Sequence, residues 1–515
     1  MEPIDDTYVE LSDLDGLPLL DSRDARMVNE LLNFKNKFAF VFYRVLVEVR
    51  WLLKLSEIPE VKDVPTFSQD ARTYLENIIQ EFNVNEALEV KEIEEFTNHD
   101  VKAVVYYLKQ KCKSHSEVSK VLEFFHFACT SADINNLAYG LLVKNVMNDV
   151  MFPVMTDLCK AFCAMAKDNA NMAMPSHFHG QRPSPTTLGK EMATFAFRLG
   201  YWAQRMSEVP IFGNFAGVIG NYNAHKIVYP NIDWPCIAQE FVASLGLEFN
   251  PYATQANFLL LSIFSSFWLP IRFLLILAFC IFWWICNTFA IQFSHIESHH
   301  YMVELFDNME NFNKVLVDFS YDVRRSISLG YFEQMTKDGK IESCTMPHKL
   351  NTFDFANSRS NFLMAKTVLS SLSHTVSFSR LKRDLTPIIL ESTELGFAHS
   401  LVAYKKILQG IKKLKVNESR LAEGLEKNWM FLAMAINNVM ERYDVPKSYE
   451  KLTELTRGGV VDKESITSFI KNLDLPEKEK FNLLNLTPHS YIEEAENLAR
   501  SIDETLGSLP GFKIK

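Results

Sequence analysis

Residues 41–55 read VFYRVLVEVRWLLKL. Val45, Val49, Leu52 and Leu53 fall at i, i+4, i+7 and i+8, the spacing that stacks side chains on one face of a helix. Arg44 and Glu48 stand one turn apart elsewhere on it, an expected i,i+4 ion pair. Residues 397–413 repeat the habit, with Leu401, Tyr404, Leu408 and Ile411 on one stripe. Alternation of period two, bounded by turn residues, is hard to find anywhere in the chain. Strand-rich folds consume Gly and Pro, and 515 residues here contain only 18 and 19 of them. The expected fold is therefore all-α, with long amphipathic helices packed as a bundle.

The length allows a large core and two or three domains. A net charge of −10 repels phosphate backbones, so nucleic acid is not an expected partner. A small anionic substrate stays open, because a local basic cluster can override the global field. The eight Cys show no CxxC pair and no metal-finger spacing, which points to reduced thiols and no zinc site. Seven acids (Glu2, Asp5, Asp6, Glu10, Asp13, Asp15, Asp21) precede the first basic residue, Arg23. That is neither a secretory signal nor an Arg-rich transit peptide. The cytoplasm is the expected compartment; a plastid would need a transit peptide, and none is seen.

One segment breaks the helical pattern. Residues 256–295 read ANFLLLSIFSSFWLPIRFLLILAFCIFWWICNTFAIQFSH, with Arg272 as the only charge. By itself this is a transmembrane candidate, since about 20 apolar residues span a bilayer. Pro270 and Arg272 could divide it into two shorter pieces. The rest of the chain gives no second span and no topology signal, so a membrane partner is not expected.

Five polar clusters could carry chemistry. Thr97-Asn98-His99-Asp100 precedes an apolar-periodic stretch and equally suits a plain helix N-cap. Thr130 and Ser131, after His126-Phe127-Ala128-Cys129, could cap the helix through Asp133-Ile134-Asn135-Asn136. His177 and His179 lie in a Pro-containing loop, where two His at i,i+2 could be ordinary surface residues. Gly217 to His225 is Gly- and Asn-rich, a loop that could bring backbone amides near an anion. Ser343 to Asn351, after the turn signal Lys337-Asp338-Gly339-Lys340, combines a hydroxyl, a thiol, a cation and an amide. Such a loop can close over a carboxylate substrate.

Taken together, these stretches resemble one family. TNHDVKAV (97–104), EFFHFACTS (123–131), HGQ (179–181) with TLGKEMA (187–193), GNYNAH (220–225), NPYATQ (250–255), TMPHK (345–349), SRLKRDLT (379–386), YEKLTELTRG (449–458) and LTPHSYI (486–492) follow, in order, the pattern of the adenylosuccinate lyases of the fumarase/aspartase superfamily. The resemblance runs from about residue 36 to the C-terminus. It implies a three-domain helical fold: an N-terminal domain over 1–128, a central long-helix bundle over 129–385 interrupted by 256–295, and a C-terminal domain over 386–515. It also implies a homotetramer with active sites shared between subunits, a small nucleotide substrate, and no metal or organic cofactor. The implied reaction is β-elimination of fumarate from adenylosuccinate, giving AMP, and from the succinyl-aminoimidazole-carboxamide ribotide of purine biosynthesis. By resemblance Ser343 is the base and His179 the general acid. Lys349 and Asn351 stabilise the succinyl carboxylate, which Thr130 and Ser131 bind from another subunit. His99 with Asp100 orients substrate and acid, and Gln181, Asn223, Gln255 and Arg383 are further substrate contacts.

The chain also departs from the pattern. The family's L-S-P-L-D-G-R-Y, whose Arg and Tyr hold the nucleotide phosphate, is Leu11-Ser12-Asp13-Leu14-Asp15-Gly16-Leu17-Pro18 here. After R-D-L-T the family's D-S-T-V-L-R-N is replaced by Pro387-Ile388-Ile389-Leu390-Glu391-Ser392-Thr393. Each charged hydrogen bond to phosphate is worth on the order of 1.5–3 kcal/mol, so these losses weaken nucleotide binding. Around the base, Gly-Ser-Ser becomes Glu342-Ser343-Cys344, the Pro after Asn351 becomes Thr352, and a Glu becomes Ala356. Q-I-E-P-H-D-Y-M is split between Gln255 and Ile296-Glu297-Ser298-His299-His300-Tyr301-Met302. The Phe, Leu, Ile, Trp, Cys and Ser of 256–295 are what T-rich DNA encodes, so the run reads as a retained intron or mispredicted exon, with a membrane anchor or a tolerated insertion as alternatives. The departures support a second functional reading, a non-catalytic copy that at most assembles with active subunits.

Overall fold

In the computed structural model, residues 24, 26–28, 30–31, 37–176, 184–218, 220–252, 299–335, 353–378, 386–457 and 461–508 are described. Helix α1 (Lys37–Leu55) contains the stretch that decides the fold. Val45, Val49, Leu52 and Leu53 are all buried, as the spacing predicts. Val41, Tyr43, Val47, Trp51 and Leu55 are buried as well, so α1 is buried over most of its surface, with Phe42, Leu46, Arg50 and Lys54 left as a half-buried stripe. This overturns one expectation. Arg44 (5 % exposed) and Glu48 (0 %) do not pair across a helical turn. Arg44 bonds Asp100 and Asn135, and Glu48 bonds His126. A buried charge needs a desolvated partner in tertiary contact, and that requirement outweighs a weak surface-type pair.

The described residues fall into two compact units. The first takes Met1–Met151, Val209–Asp307 and Val368–Gly396. In it α1 packs against α2 (Gln69–Gln80), α3 (Val84–Thr97), α4 (Asp100–Cys112) and α5 (Ser131–Val146). The Trp51 ring at the C-terminal end of α1 stands 4.4 Å from Phe215 and 5.1 Å from Phe241, between centroids. Its Nε1–H donates to the Phe127 carbonyl at 3.1 Å. One side chain thus joins α1, the segment before α5 and the aromatic cluster around 215–241.

The second unit takes Phe152–Glu208, Asn308–Thr367 and Phe397–Lys515. Helix α6 (Phe152–Asp168) and helix α7 (Leu188–Ser207) come close at Gly189, where a Cβ would lie 2.4 Å from the Ala166 carbonyl oxygen. Phe162, Phe195 and Phe319 interlock, with Phe162 and Phe319 centroids 4.6 Å apart. Buried Asn313 donates to Ser400 Oγ at 3.0 Å and accepts from Tyr404 O–H at 2.6 Å, so these three buried side chains satisfy one another. Leu401 and Tyr404 of the predicted stripe are buried, while Leu408 and Ile411 are half-buried. Towards the C-terminus a smaller cluster gathers Leu432, Ile436, Met440, Ile466 and Ile470.

Strand structure among the described residues is three two-stranded pieces. Ala173–Ser176 pairs antiparallel with Ser184–Thr187, Phe212–Gly213 parallel with Glu248–Phe249, and Phe332–Gln334 antiparallel with Leu414–Val416. Segments of two to four residues are too short for a period of two to be legible. The all-α class stands. Among the described residues no helix is long and apolar enough to cross a membrane; 256–295 lies outside them.

Candidate active site

Five of the residues singled out in the sequence are described: His99, Asp100, Thr130, Ser131 and Asn223. All belong to the first unit. His179, Gln181, Gln255, Ser343, Lys349, Asn351 and Arg383 lie outside the described residues.

Helix α3 ends on Asn98 in the left-handed region (φ 50°). The next residue, His99, is the N-cap of α4: its Nδ1 accepts the Lys102 N–H at 3.2 Å. The cap expected from Thr97, Asn98 or Asp100 is therefore an imidazole. Thr97 instead turns its hydroxyl back to the Ile93 carbonyl at 2.8 Å. With Nδ1 accepting, the proton of a neutral ring sits on Nε2, at the exposed tip. Asp100 accepts the Val101 N–H through Oδ1 at 2.8 Å, and Arg44 bonds its Oδ2. The same guanidinium donates from Nε to Asn135 Oδ1 at 2.9 Å, so it ties the start of α4 to the first turns of α5.

The segment before α5 is held in an uncommon shape. His126 and Ala128 are left-handed (φ 65° and 57°), a conformation costing about 1–2 kcal/mol per residue with a side chain. His126 Nδ1 lies 2.6 Å from Glu48 Oε1, and the Phe127 carbonyl takes the Trp51 N–H. Thr130 is the N-cap of α5, and its own N–H donates to Asp133 Oδ2 at 2.8 Å, half of a capping box. Asp133 also accepts the N–H groups of Ala216 (3.0 Å) and Gly217 (3.1 Å). Asn136 exchanges two bonds with the Asn214 backbone, at 2.8 and 2.9 Å. The Gly- and Asn-rich loop is thereby stitched to the start of α5. Gly217 (φ 77°) completes the fit: a Cβ there would stand 3.1 Å from the Ala128 carbonyl oxygen. Tyr222, also left-handed (φ 58°), precedes the exposed Asn223 at the start of α8 (Asn223–Val228). Four of the eight non-glycine positive-φ residues among the described residues (Asn98, His126, Ala128, Tyr222) thus lie on the segments that present the candidate residues. Backbone strain collects where a site must be shaped.

The electrostatics follow from burial. Burial works against a charged His126, but the Glu48 carboxylate outweighs it and holds the imidazole above its ordinary value. Burial lifts the Asp133 carboxyl to about 6 although three backbone N–H groups pull it down. It also keeps the Cys129 thiol protonated, with help from Glu48 and Asp133, and lowers His225 to about 4. His225 is a neutral packing residue, its ring 4.8 Å from that of Trp234.

Glu48, Arg44 and Asp133 were not singled out as site residues in the sequence. A usable signal was present for the first two: Arg44 and Glu48 lie away from the stripe that carries Arg50 and Lys54, on a face otherwise apolar.

Two family descriptions match the chain, "Lyase" over residues 27–257 and "Adenylosuccinate lyase C-terminal" over 379–492. An adenylosuccinate lyase of Haemophilus influenzae is 40% identical over 495 residues, covering 96% of this chain and 100% of that protein. An adenylosuccinate lyase of Escherichia coli K12 is 40% identical over 488 residues, covering 95% and 98%. Among solved structures, the 3-carboxy-cis,cis-muconate lactonizing enzyme of Pseudomonas putida aligns with a TM-score of 0.65 at 16% identity, covering 94% of this chain and 98% of that one. A fumarate lyase of Mesorhizobium aligns at 0.64 and 14%, covering 93% and 98%. These two share the helical fold.

Proposed function

The chain belongs to the adenylosuccinate lyase family, and on that premise we propose how its own side chains divide the work of a carbon–nitrogen lyase. The reaction is the β-elimination of fumarate from adenylosuccinate, leaving AMP, and from the succinyl-aminoimidazole-carboxamide ribotide. A proton leaves the Cβ beside a carboxylate, the C–N bond breaks as the C=C bond forms, and the departing nitrogen takes a proton. In our reading Ser343 removes the Cβ proton and His179 protonates the nitrogen. Lys349 and Asn351 hold the charge that builds on the carboxylate. Thr130 and Ser131 bind that carboxylate, His99 and Asp100 orient the substrate, and Gln181, Asn223, Gln255 and Arg383 make further contacts. The observation that carries the functional reading is the 40% identity over nearly the full length of both proteins. The site reading draws support from the position of Thr130 and Ser131 at the start of a 16-residue helix, where the helix dipole favours an anion.

Nothing in the relatives favours the non-catalytic copy. We also read 256–295 as an insertion, because the "Lyase" match stops at residue 257 as the run begins. Homotetramer formation with shared sites, in the cytoplasm, belongs to the same proposal. Phe96 (93 % exposed), Ile227 (82 %) and Tyr252 (84 %) are large apolar side chains in the first unit that a second copy would cover. The test is fumarate and AMP release from adenylosuccinate, by the full chain and by a version lacking 256–295, with mass measured by light scattering. Equal release of both products by a tetramer is expected. A folded protein that releases neither product overturns the functional reading.

A further inference from the structure

We infer that Glu48 and His126 form a positioning pair whose task is to hold residues 126–130 in the shape that presents Thr130 and Ser131 to a dicarboxylate. The inference rests on the reading of Thr130 and Ser131 as the carboxylate-binding residues. Glu48 has no solvent exposure, and its Oε1 lies 2.6 Å from His126 Nδ1. Its second oxygen, Oε2, has no hydrogen-bond partner among the described residues. A buried ion pair adds little net stability over a well-packed apolar pair, so stability alone is a poor reason to place a carboxylate there. Geometry is a better one. His126 and Ala128 are both left-handed, and three separate tethers hold the segment: Glu48 on the His126 ring, Trp51 on the Phe127 carbonyl, Asp133 on the Thr130 N–H. Glu48 and Trp51 both come from α1, one turn apart, so a rigid buried helix sets where the segment sits. Without the Glu48 tether the strained residues relax towards right-handed backbone, and Thr130 and Ser131 move with them.

The two reaction products separate this role from general damage. Fumarate uses the carboxylate half of the site and AMP the nucleotide half. Glu48→Gln keeps the size of the side chain and removes its charge. His126→Asn keeps a residue that tolerates the left-handed region and removes the imidazole. Either variant of the full chain, shown folded by circular dichroism, is expected to bind fumarate about 10-fold or more weakly while AMP affinity stays within about 2-fold, by the usual strength of a charge-assisted bond. Equal losses for both products, or no loss for fumarate, overturn the inference. If Glu48→Gln fails to fold, His126→Asn decides, since that ring is partly exposed; failure of both to fold shows a structural pair and also overturns it. Wild-type protein that binds neither product removes the functional reading beneath, and the inference falls with it.

Discussion

Replacing Asp133 by Asn separates two forces that act oppositely on one carboxyl group. Asp133 is 2 % exposed and receives three backbone N–H groups at 2.8, 3.0 and 3.1 Å. A carboxylate so supplied titrates well below the usual carboxylate range when nothing opposes it. Burial opposes it and wins, moving the group from 3.8 to about 6. That difference corresponds to about 3 kcal/mol, at about 1.4 kcal/mol per pH unit. The folded protein binds this proton more tightly than the unfolded chain does. Its stabilising contribution is therefore fully present below 3.8 and is lost as pH rises through about 6. Asn does not titrate. Asp133→Asn is expected to be less stable than wild type near about pH 4 and to gain about 3 kcal/mol relative to it between about pH 4 and about pH 7. Both oxygens accept N–H groups, so the Asn amide nitrogen must face at least one donor, a loss of about 1–3 kcal/mol that is the same at every pH. Urea midpoints at the two pH values, followed by tryptophan fluorescence, measure the difference; Trp51 and Trp234 report from the same unit. The gain comes with a functional loss, because the amide nitrogen of Asn faces an N–H donor and loosens residues 216–217, lowering kcat/KM. A variant whose stability relative to wild type does not rise between the two pH values would refute the reasoning. It would mean that the three donors outweigh burial and that Asp133 titrates below 3.8.

Other substitutions probe the same frame. Gly217→Ala must place a Cβ 3.1 Å from the Ala128 oxygen at φ 77°, and is expected to cost about 1–2 kcal/mol from handedness alone while reducing fumarate release. Gly189→Ala drives a Cβ to 2.4 Å from the Ala166 carbonyl, which is backbone, whereas Gly200→Ala meets the end of the Leu506 side chain at the same distance. Urea denaturation should therefore show the first as clearly worse, because Leu506 can turn aside at about 1–3 kcal/mol and a helix backbone cannot. Arg44→Lys keeps the charge at Asp100 but cannot also reach Asn135, and should lose about 1.5–3 kcal/mol; a double-mutant cycle with Asn135→Ala isolates that bond. Equal effects of the two glycine changes, or no coupling in the cycle, would contradict these contacts.

Local periodicity determined a good deal by itself. The i, i+4, i+7, i+8 spacing of Val45, Val49, Leu52 and Leu53 made α1 a helix with that face buried, because a 3.6-residue repeat is set by backbone geometry within a few residues. The ordered motif blocks carried the family through the sequence alone, and the relatives agree. Partner choice was a different matter. Arg44 and Glu48 are well spaced to pair with each other, yet the fold buried most of α1 and brought Asp100, Asn135 and His126 within reach. Nothing local says that Asp133 will collect N–H groups from residues 83 and 84 positions away. Nor does it say that His99, rather than its Asn and Asp neighbours, will cap α4. These outcomes depend on which groups lose water when the helices close, since a buried charge or N–H group must find a partner among whatever the tertiary structure places beside it.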